Sequence, residues 1–328
     1  MENKVISRIG VLTSGGDAPG MNAAIRAVVR SAMYYKIEVY GIYRGYEGMI
    51  NDEIKKLETK NVAYILERGG TFLRSARSAA FRTPEGRKKA YENLKKHGID
   101  ALVVIGGDGS LTGAHLLFEE YGIPSIGLPG TIDNDLSGTD STIGFDTACN
   151  TAIQAIDKIR DTASSHDRLF FVEVMGRDAG FIAINAGIGS GAAATLIPER
   201  KMPVENLIKR LNKRAKAKKQ SNIVIVAEGG KSGGAMEIAQ KVKKILPQYD
   251  IKVTILGHLQ RGGSPTSYDR LLASKLGVAA VEGLMHGKYD VMAGVINNKV
   301  VYTPIKKAIV DDKEVDDEDF RIAKILST

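Results

Sequence analysis

The sequence predicts an α/β protein of two domains, each a mostly parallel sheet wrapped by helices. Three observations carry that expectation. Short β-branched and aliphatic runs alternate with longer helical patterns along the chain, the rhythm of βα units. A length of 328 residues suits two such domains better than one core. Finally, A-L-V-V-I-G-G-D-G-S (101–110), L-T-G-A-H-L-L-F-E-E (111–120) and P-S-I-G-L-P-G-T-I-D-N-D (124–135) read as strand, helix and strand. One such βαβ unit makes its strands parallel neighbours with their carboxyl ends side by side.

Taken in order, strands are expected over 8–12, 37–42, 101–105, 124–128, 169–174, 223–227, 252–256 and 291–296. Helices are expected over 21–35, 61–68, 85–97, 111–120, 147–160, 204–218, 234–245 and 268–286. Pro84 after Thr83 is a good helix start. A domain boundary is expected near 140–145, where I-G-F-D (143–146) opens a helix capped by Asp146. A later return of the chain to the first domain stays open.

The apolar fraction of 43% is enough for ordinary cores, and with no Trp and 6% aromatics those cores are mostly aliphatic. The formal charge of +8 suits anionic ligands, nucleic acid, or no particular partner. Much of the excess sits in K-R-L-N-K-R-A-K-A-K-K (209–219), seven basic residues in eleven. That run reads as a solvated helix end or as part of a phosphate site. Nucleic acid is not expected as a partner, because no aromatic lies among the lysines and no nucleic-acid motif accompanies them. The lone Cys149 excludes an intramolecular disulfide and a Cys-based zinc cluster. No signal-peptide core opens the chain. The longest uncharged stretch, Ala179–Pro198, is too polar for a membrane span. A soluble cytoplasmic protein with no membrane partner is expected.

The glycine loops carry the chemistry. In T-S-G-G-D-A-P-G-M-N (13–22) the glycines let backbone N–H groups approach an anion at a helix start, although a plain tight turn would read the same way. It is not a P-loop. G-G-D-G-S (106–110) sets Asp108 between glycines at a strand end, placed to serve Mg²⁺ or to cap a helix. P-G-T-I-D-N-D (129–135) offers one carboxylate for a hydroxyl and another for the loop or metal, or else an Asx-rich turn. Gly107, Asp108, Gly109, Thr131, Asp133 and Asp135 converge on the crevice where open α/β sheets bind ligands. Phosphoryl transfer is the leading reading. Arg77, Arg168, Arg177, His258 and Arg261 follow strands or glycine turns and fit phosphate clamps. Glu228 ends a strand and suits a sugar hydroxyl.

Together these strings closely resemble bacterial ATP-dependent 6-phosphofructokinases. The matches are S-G-G-D-A-P-G-M-N-A-A-I-R, G-G-T-F-L-R-S-A-R, G-G-D-G-S, P-G-T-I-D-N-D, S-S-H-D-R, V-E-V-M-G-R and G-H-L-Q-R-G-G-S-P, running in the family's order from 14 to 265. The resemblance implies two Rossmann-like three-layer α/β/α domains with mostly parallel sheets. An ATP-binding domain would comprise 1–143 plus about 258–310, and a fructose-6-phosphate-binding domain 144–257 plus about 311–328. It further implies transfer of the γ-phosphoryl of MgATP to the 1-hydroxyl of fructose 6-phosphate, the committed step of glycolysis.

By the same resemblance Asp133 is the base, and Thr131, Arg77 and Arg177 stabilise the transferring group. Asp108 serves Mg²⁺. Gly16, Arg77, Ser78, Gly107, Asp108, Gly109 and Ser110 hold ATP. Thr131, Ile132, Asp133, Met175, Gly176, Arg177, Glu228, His258 and Arg261 meet fructose 6-phosphate, with Arg168 and Lys252 reaching in from a neighbouring subunit of a homotetramer. Lys252 stands where the family has an arginine, which implies weaker sugar-phosphate affinity. Pyrophosphate-using relatives carry aspartate at Gly109 and lysine at Gly130, so both glycines favour ATP. Arg26, Arg30, Arg160 and Lys219 match an ADP or phosphoenolpyruvate effector site. Thr59, Ala193 and Ala217 depart from it, replacing an arginine, a metal-binding glutamate and a lysine. Altered allosteric control is therefore expected. The alternatives are another kinase of the G-G-D-G type acting on NAD or a lipid, and a non-catalytic sugar-phosphate or nucleotide sensor.

Overall fold

The computed structural model describes residues 6–164, 168–216, 222–230 and 233–327. Two compact units emerge. The first comprises residues up to Ile132, Leu136–Thr147 and Arg261–Asp312; the second comprises Asp133–Asp135, Ala148–Gln260 and Lys313 onward. The chain therefore returns to the first unit after the second has begun. Apart from the excursion Asp133–Asp135, the chain leaves unit 1 after Thr147, beyond the expected 143, because Asp269 accepts hydrogen bonds from the amides of Gly144 and Thr147 at 2.9 and 2.8 Å, which ties that segment to unit 1. Asp146 is not a helix cap. It lies inside the first turn of its helix and accepts from Thr266 Oγ1 at 2.6 Å.

Unit 1 holds seven strands: β1 (Arg8–Thr13), β2 (Glu38–Ile42), β3 (Ile54–Leu57), β4 (Ala101–Gly106), β5 (Ser125–Pro129) and, from the returning chain, Val291–Ile296 and Lys299–Pro304. The last two become β10 and β11 once the four strands of unit 2 are counted: β6 (Leu169–Val174), β7 (Ala194–Leu196), β8 (Asn222–Ala227) and β9 (Ile251–Ile255). The order in unit 1 is β11-β10-β5-β4-β1-β2-β3. Its centre is parallel, with Val103 opposite Val11 and Ile126. Both edges are antiparallel. The edges are the strands that the parallel βα rhythm did not predict: β11 follows β10 by a short turn, and β3 runs back along β2 after only the short helix Gly45–Ile50. β7, at three residues, was also unexpected.

The helices are α1 (Met21–Tyr34), α2 (Gly45–Ile50), α3 (Pro84–Lys96), α4 (Asp108–Tyr121), α5 (Phe145–Ser164), α6 (Phe181–Gly189), α7 (Val204–Lys216), α8 (Ala235–Ile245), α9 (Ser267–Met285), α10 (Ile305–Val310) and α11 (Asp317–Leu326). Thr83 caps α3 by accepting from the Gly86 amide at 3.1 Å, with Pro84 at the first helical position. The helix expected over 61–68 is absent. Thr59–Val62 forms one 3₁₀ turn and the rest is turns. Val62 and Ile65 are buried there, so the apolar spacing that suggested a helix serves turns instead, and the carbonyls of Arg68 and Gly69 accept from the Asn22 side chain.

The sheet of unit 1 is covered on both faces, so its central strands are apolar throughout rather than alternating. Leu12, Ile42, Leu102 and Val104 pack with Tyr46, Phe81, Leu94, Leu111, Leu117 and Ile305. Residues of opposite parity, Ile9, Val11, Val103 and Ile105, are equally buried; α9 packs on β5 and on α1. The α1–α9 approach needs Gly277, where a Cβ would come within 2.6 Å of the Ala27 methyl.

Unit 2 is a four-stranded parallel sheet of order β7-β8-β6-β9. Leu169, Phe171, Val224 and Val226 pack against Leu207 and Leu211 of α7 and Ile238 and Val242 of α8. Helices α6 and α11 pack on each other and on its strands. In the described part of the basic run, Arg210 and Arg214 donate to the carbonyls of Lys324 and Ser327 at 3.2 and 3.1 Å. These arginines close the carboxyl end of α11, where cations are favoured. Among the described residues no helix is long and apolar enough to cross a membrane.

Candidate active site

In unit 1 the candidate residues gather at the carboxyl ends of β1, β4 and β5. The parallel register pairs Thr13 with Ile105 and Gly106 with Pro129, so all three following loops leave the sheet at one level. The β1 loop is pinned from several sides. Ser14 N donates to Ile105 O at 3.0 Å, and Thr13 Oγ1 meets Thr71 Oγ1 at 2.7 Å and donates to Arg74 O at 2.9 Å. Ser75 Oγ donates to Gly15 O at 2.8 Å. Asn22 Oδ1 accepts from Phe72 N at 2.6 Å. The turn around 68–75 is therefore held against the start of α1, with exposed Arg77 and half-buried Ser78 just beyond it. Ser78 Oγ accepts from Phe81 N at 3.2 Å.

The β4 loop turns straight into α4. Gly107 is the residue before the helix and Asp108 its first residue. Asp108 is therefore not the capping residue; its carboxylate lies at the positive end of the helix. Tyr46, fully buried, donates to Ser110 O at 2.5 Å and stacks on Phe81 with ring centroids 4.0 Å apart. Burial pushes its phenol above the ordinary range, so this donor keeps its proton. Gly109 is exposed, and a Cβ built on it meets nothing within 4 Å.

The β5 loop closes on the β4 loop. Gly130 N donates to Gly106 O at 3.0 Å, and a Cβ on Gly107 would lie 3.6 Å from Thr131 Cβ. The expected meeting of the glycine–aspartate loop with Thr131 is thus present. Thr131 O accepts from Thr142 Oγ1 at 2.6 Å. Ile132 is fully buried and serves as an apolar anchor for the loop. Arg261 joins this unit, donating from Nη1 to Asp17 O at 3.2 Å. The same nitrogen lies 2.6 Å from where a Gly16 Cβ would stand.

In unit 2, Asp133 and Asn134 are buried. Asn134 is left-handed at φ 56°, and its Oδ1 accepts from Lys313 Nζ at 3.0 Å. The β6 loop carries Met175, Gly176 and Arg177. Arg177 is also left-handed at φ 55°, a conformation that costs a non-glycine residue and recurs at functional sites. The surroundings hold it there. Its amide donates to Glu228 Oε1 at 3.0 Å, and Gly229 abuts its carbonyl so closely that a Cβ would clash. The guanidinium stays more than half exposed. Met175 N donates to the side chain of Gln260 at 3.3 Å. Gln260, fully buried, is a positioning residue that sequence reasoning missed, its role being visible only through this contact. His258, in the 3₁₀ turn Gly257–Arg261, is exposed.

Arg168 and Lys252 meet through a second residue that the sequence did not mark. Asp250 accepts from Arg168 Nε at 2.8 Å and pairs with Lys252 Nζ at 2.9 Å. Its carboxyl is held below the ordinary value by the bond to Lys252 and then by that to Arg168.

The expected effector residues divide between units. Arg26, half-buried, and Arg30, exposed, lie on α1 in unit 1. Arg160 lies on α5 in unit 2 and donates to the carbonyl of Ser190. Lys219 and Ala217 lie outside the described residues. Ala193 is buried and donates its amide to Ile223 O at 2.7 Å.

The family model for phosphofructokinase matches residues 8–284. The chain belongs to the phosphofructokinase family. "ATP-dependent 6-phosphofructokinase 2" of Bacteroides thetaiotaomicron is 58% identical over 97% of this chain and 98% of its own. "ATP-dependent 6-phosphofructokinase 1" of Thermus thermophilus is 53% identical over 98% of this chain and 100% of its own. Among solved structures, Pichia pastoris phosphofructokinase in the T-state has a TM-score of 0.88 and 38% identity over 93% of this chain, which spans 36% of that longer chain. The architecture is the α/β phosphofructokinase fold.

Proposed function

We propose that the chain is an ATP-dependent 6-phosphofructokinase, which transfers the γ-phosphoryl of ATP to the 1-hydroxyl of fructose 6-phosphate. The observation that carries this is likeness over essentially the whole length to relatives named for that activity, at 58% and 53% identity. The alternatives, another G-G-D-G kinase or a sensor, gain nothing from the comparisons.

In this reading unit 1 takes ATP and unit 2 takes the sugar phosphate. Gly16 and the Gly107–Ser110 turn let backbone amides approach phosphate oxygens, as glycines at a helix start allow. Arg77 and Ser78 close over the nucleotide from the neighbouring turn. Asp108 supplies a hard carboxylate oxygen at the mouth of the loop, and open Gly109 leaves room beside it. That donor chemistry fits Mg²⁺, which keeps several waters and takes one or two carboxylates with substrate phosphates. When bound, the ion neutralises phosphate charge. Asp133 takes the proton of the 1-hydroxyl, a carboxylate being adequate where the transition state is loose and positioning dominates. Thr131 and Arg177 face the oxygens of the moving phosphoryl group, and the braced left-handed turn at Arg177 pre-sets that cation. Met175, Gly176, Glu228, His258 and Arg261 hold the sugar phosphate. Arg168 and Lys252 serve the site of a neighbouring subunit in a homotetramer, and the setting is cytoplasmic.

The test is ADP release with MgATP and fructose 6-phosphate, beside Asp133→Asn. Turnover should fall by a factor of about 10²–10⁴ in the variant, the range for removing a general base, with folding unchanged. Wild-type activity surviving the substitution would overturn the role of Asp133. Phosphorylation of NAD in place of the sugar would overturn the activity.

A further inference from the structure

A cavity of about 310 Å³ lies within unit 2, lined by α11, by α7 and the segment leading into it, and by Ile184 of α6 and Thr195 of β7. Its lining includes Arg200, Lys201, Arg210 and Lys324 together with Phe320 and Ala323. Among the described residues its lining has no carboxylate. None of its residues belongs to the catalytic loops described above or to the positions Arg26, Arg30, Thr59, Arg160, Ala193, Ala217 and Lys219 expected for effectors. Part of the lining is apolar and carries an aromatic ring; the rest is cationic apart from the neutral Thr195 and Asn206.

The cations are not equivalent. Arg200 is already engaged: it pairs with Asp317 and its guanidinium lies 4.5 Å from the centroid of Phe320. That stack fixes the ring as one face of the cavity. Arg210 is half-buried, and its hydrogen bond goes to a neutral carbonyl, that of Lys324. Burial, and then the neighbouring Arg214, disfavours its charge. A guanidinium partly withdrawn from water, facing a cavity without a carboxylate, gains from an anion with fork geometry. Lys201 and Lys324 are exposed at the rim, where they add attraction without desolvation.

We propose that this cavity binds a small planar organic anion, one ring carrying one phosphate or carboxylate, with the ring against Phe320 and the anion at Arg210. The volume sits at the lower end of the range of small-molecule sites, about 300–1,000 Å³. A single ring with one anionic group fits such a volume. The ring gains from Phe320, Ala323 and the apolar part of the lining, and the anion takes the bidentate donors of Arg210.

The test is calorimetric titration of phenyl phosphate into the full chain saturated with fructose 6-phosphate and ADP, which occupy the sites of the proposed reaction. Benzoate distinguishes a carboxylate from a phosphate source, while inorganic phosphate and phenol separate anion from ring. One site per chain is expected, weakened at least tenfold by Arg210→Met and by Ala323→Phe, which fills the cavity, with turnover unchanged in both. Lys201→Met should weaken binding less. Equal affinity in wild type and both variants overturns the proposal, as does binding of inorganic phosphate as tight as that of phenyl phosphate. Absence of binding up to millimolar concentration, with both variants folded, overturns it too. Because the readout is direct binding, it stands or falls independently of the kinase assay.

Discussion

Lys252 Nζ lies 2.9 Å from Asp250 Oδ1, and the other oxygen of that carboxylate takes Arg168 Nε at 2.8 Å. One exposed aspartate thus sets two cations side by side where β9 lies parallel to β6, with Lys252 level with Phe170 in the register. Arg168 uses Nε in this bond, and a phosphate would be met by its terminal nitrogens. Asp250→Asn should raise the KM for fructose 6-phosphate about three- to tenfold with little change in kcat, the scale of one charge-assisted bond. A fall in KM would mean that the carboxylate competes with substrate rather than aiming the cations. Lys252→Arg, by supplying a fork, should lower KM. Because Asp250's carboxyl is held low, the anchor is intact at neutral pH and is lost only as pH falls through that lowered value.

Gly16 and Arg261 share one space. A methyl at Gly16 would meet Arg261 Nη1 at 2.6 Å and Cζ at 3.0 Å. The neighbour is the far end of a flexible side chain, so Gly16→Ala should fold with a melting temperature close to wild type while moving the guanidinium. The expected outcome in steady-state kinetics is a loss of about tenfold or more in kcat/KM for fructose 6-phosphate, on the scale of disturbing one ligand contact. Wild-type kinetics would show that Arg261 does not act from this position.

Gly109 and Gly130 differ in what they tolerate. Gly109 opens on free space, whereas a Cβ at Gly130 would lie 2.9 Å from Ile105 Cγ2 and 3.2 Å from the backbone nitrogen of Gly106. Gly109→Asp should therefore fold normally and raise the KM for ATP at least tenfold, since a second carboxylate beside Asp108 repels phosphate. Gly130→Lys should lose stability by about 1–3 kcal/mol through overpacking, and its unfolding midpoint in urea checks this. A fully stable Gly130→Lys would show that the core around Ile105 yields.

Asp269 is the buried carboxylate of unit 1. It accepts from the Gly144 and Thr147 amides and, at 2.5 Å, from Thr147 Oγ1. Burial nevertheless raises its pKa, outweighing those bonds. A raised value means that the folded state binds the proton more tightly than the unfolded chain. Its contribution is therefore full below the unfolded value of about 4 and is lost as pH rises through the folded one. Urea unfolding of wild type against Asp269→Asn should show the wild-type advantage shrinking as pH rises from about 4 and then levelling. An advantage that grew with pH would show the hydrogen bonds, not burial, to be dominant.

The parallel centre of each sheet was legible because β-branched runs and helical patterns alternate, and because both faces are covered. The glycine loops were legible because few other residues turn so tightly at a strand end. The edge strands were not. I-K-K-L of β3 has two exposed lysines, and β11 is mostly half-exposed, so neither shows the apolar signal of the centre. The expected helix at 61–68 gave way to turns that bury Val62 and Ile65, and the Arg68 carbonyl is tied to Asn22, 46 residues away in sequence, a contact no local pattern reports. Asp250, Gln260 and Asp269 escaped notice because their partners Arg168, Met175 and Gly144 lie far along the chain. The loops proposed for catalysis could be named early because the residue pattern of each is local.

The segment Arg261–Asp312 supplies α9, the helix packed on α1, and strands β10 and β11 of the first sheet. During synthesis, the first unit to emerge from the ribosome must therefore wait for nearly the whole polypeptide. Until residue 312 has been made, α1 lacks its cover and β5 has a bare edge, the kind of surface on which nascent chains stick to one another. The sheet of the second unit can form earlier around β6 and β8, and α11 completes that unit last. Chaperone dependence and truncation products of this protein should accordingly reflect a half-built first unit, and no cut at a single point in the sequence will release either unit whole.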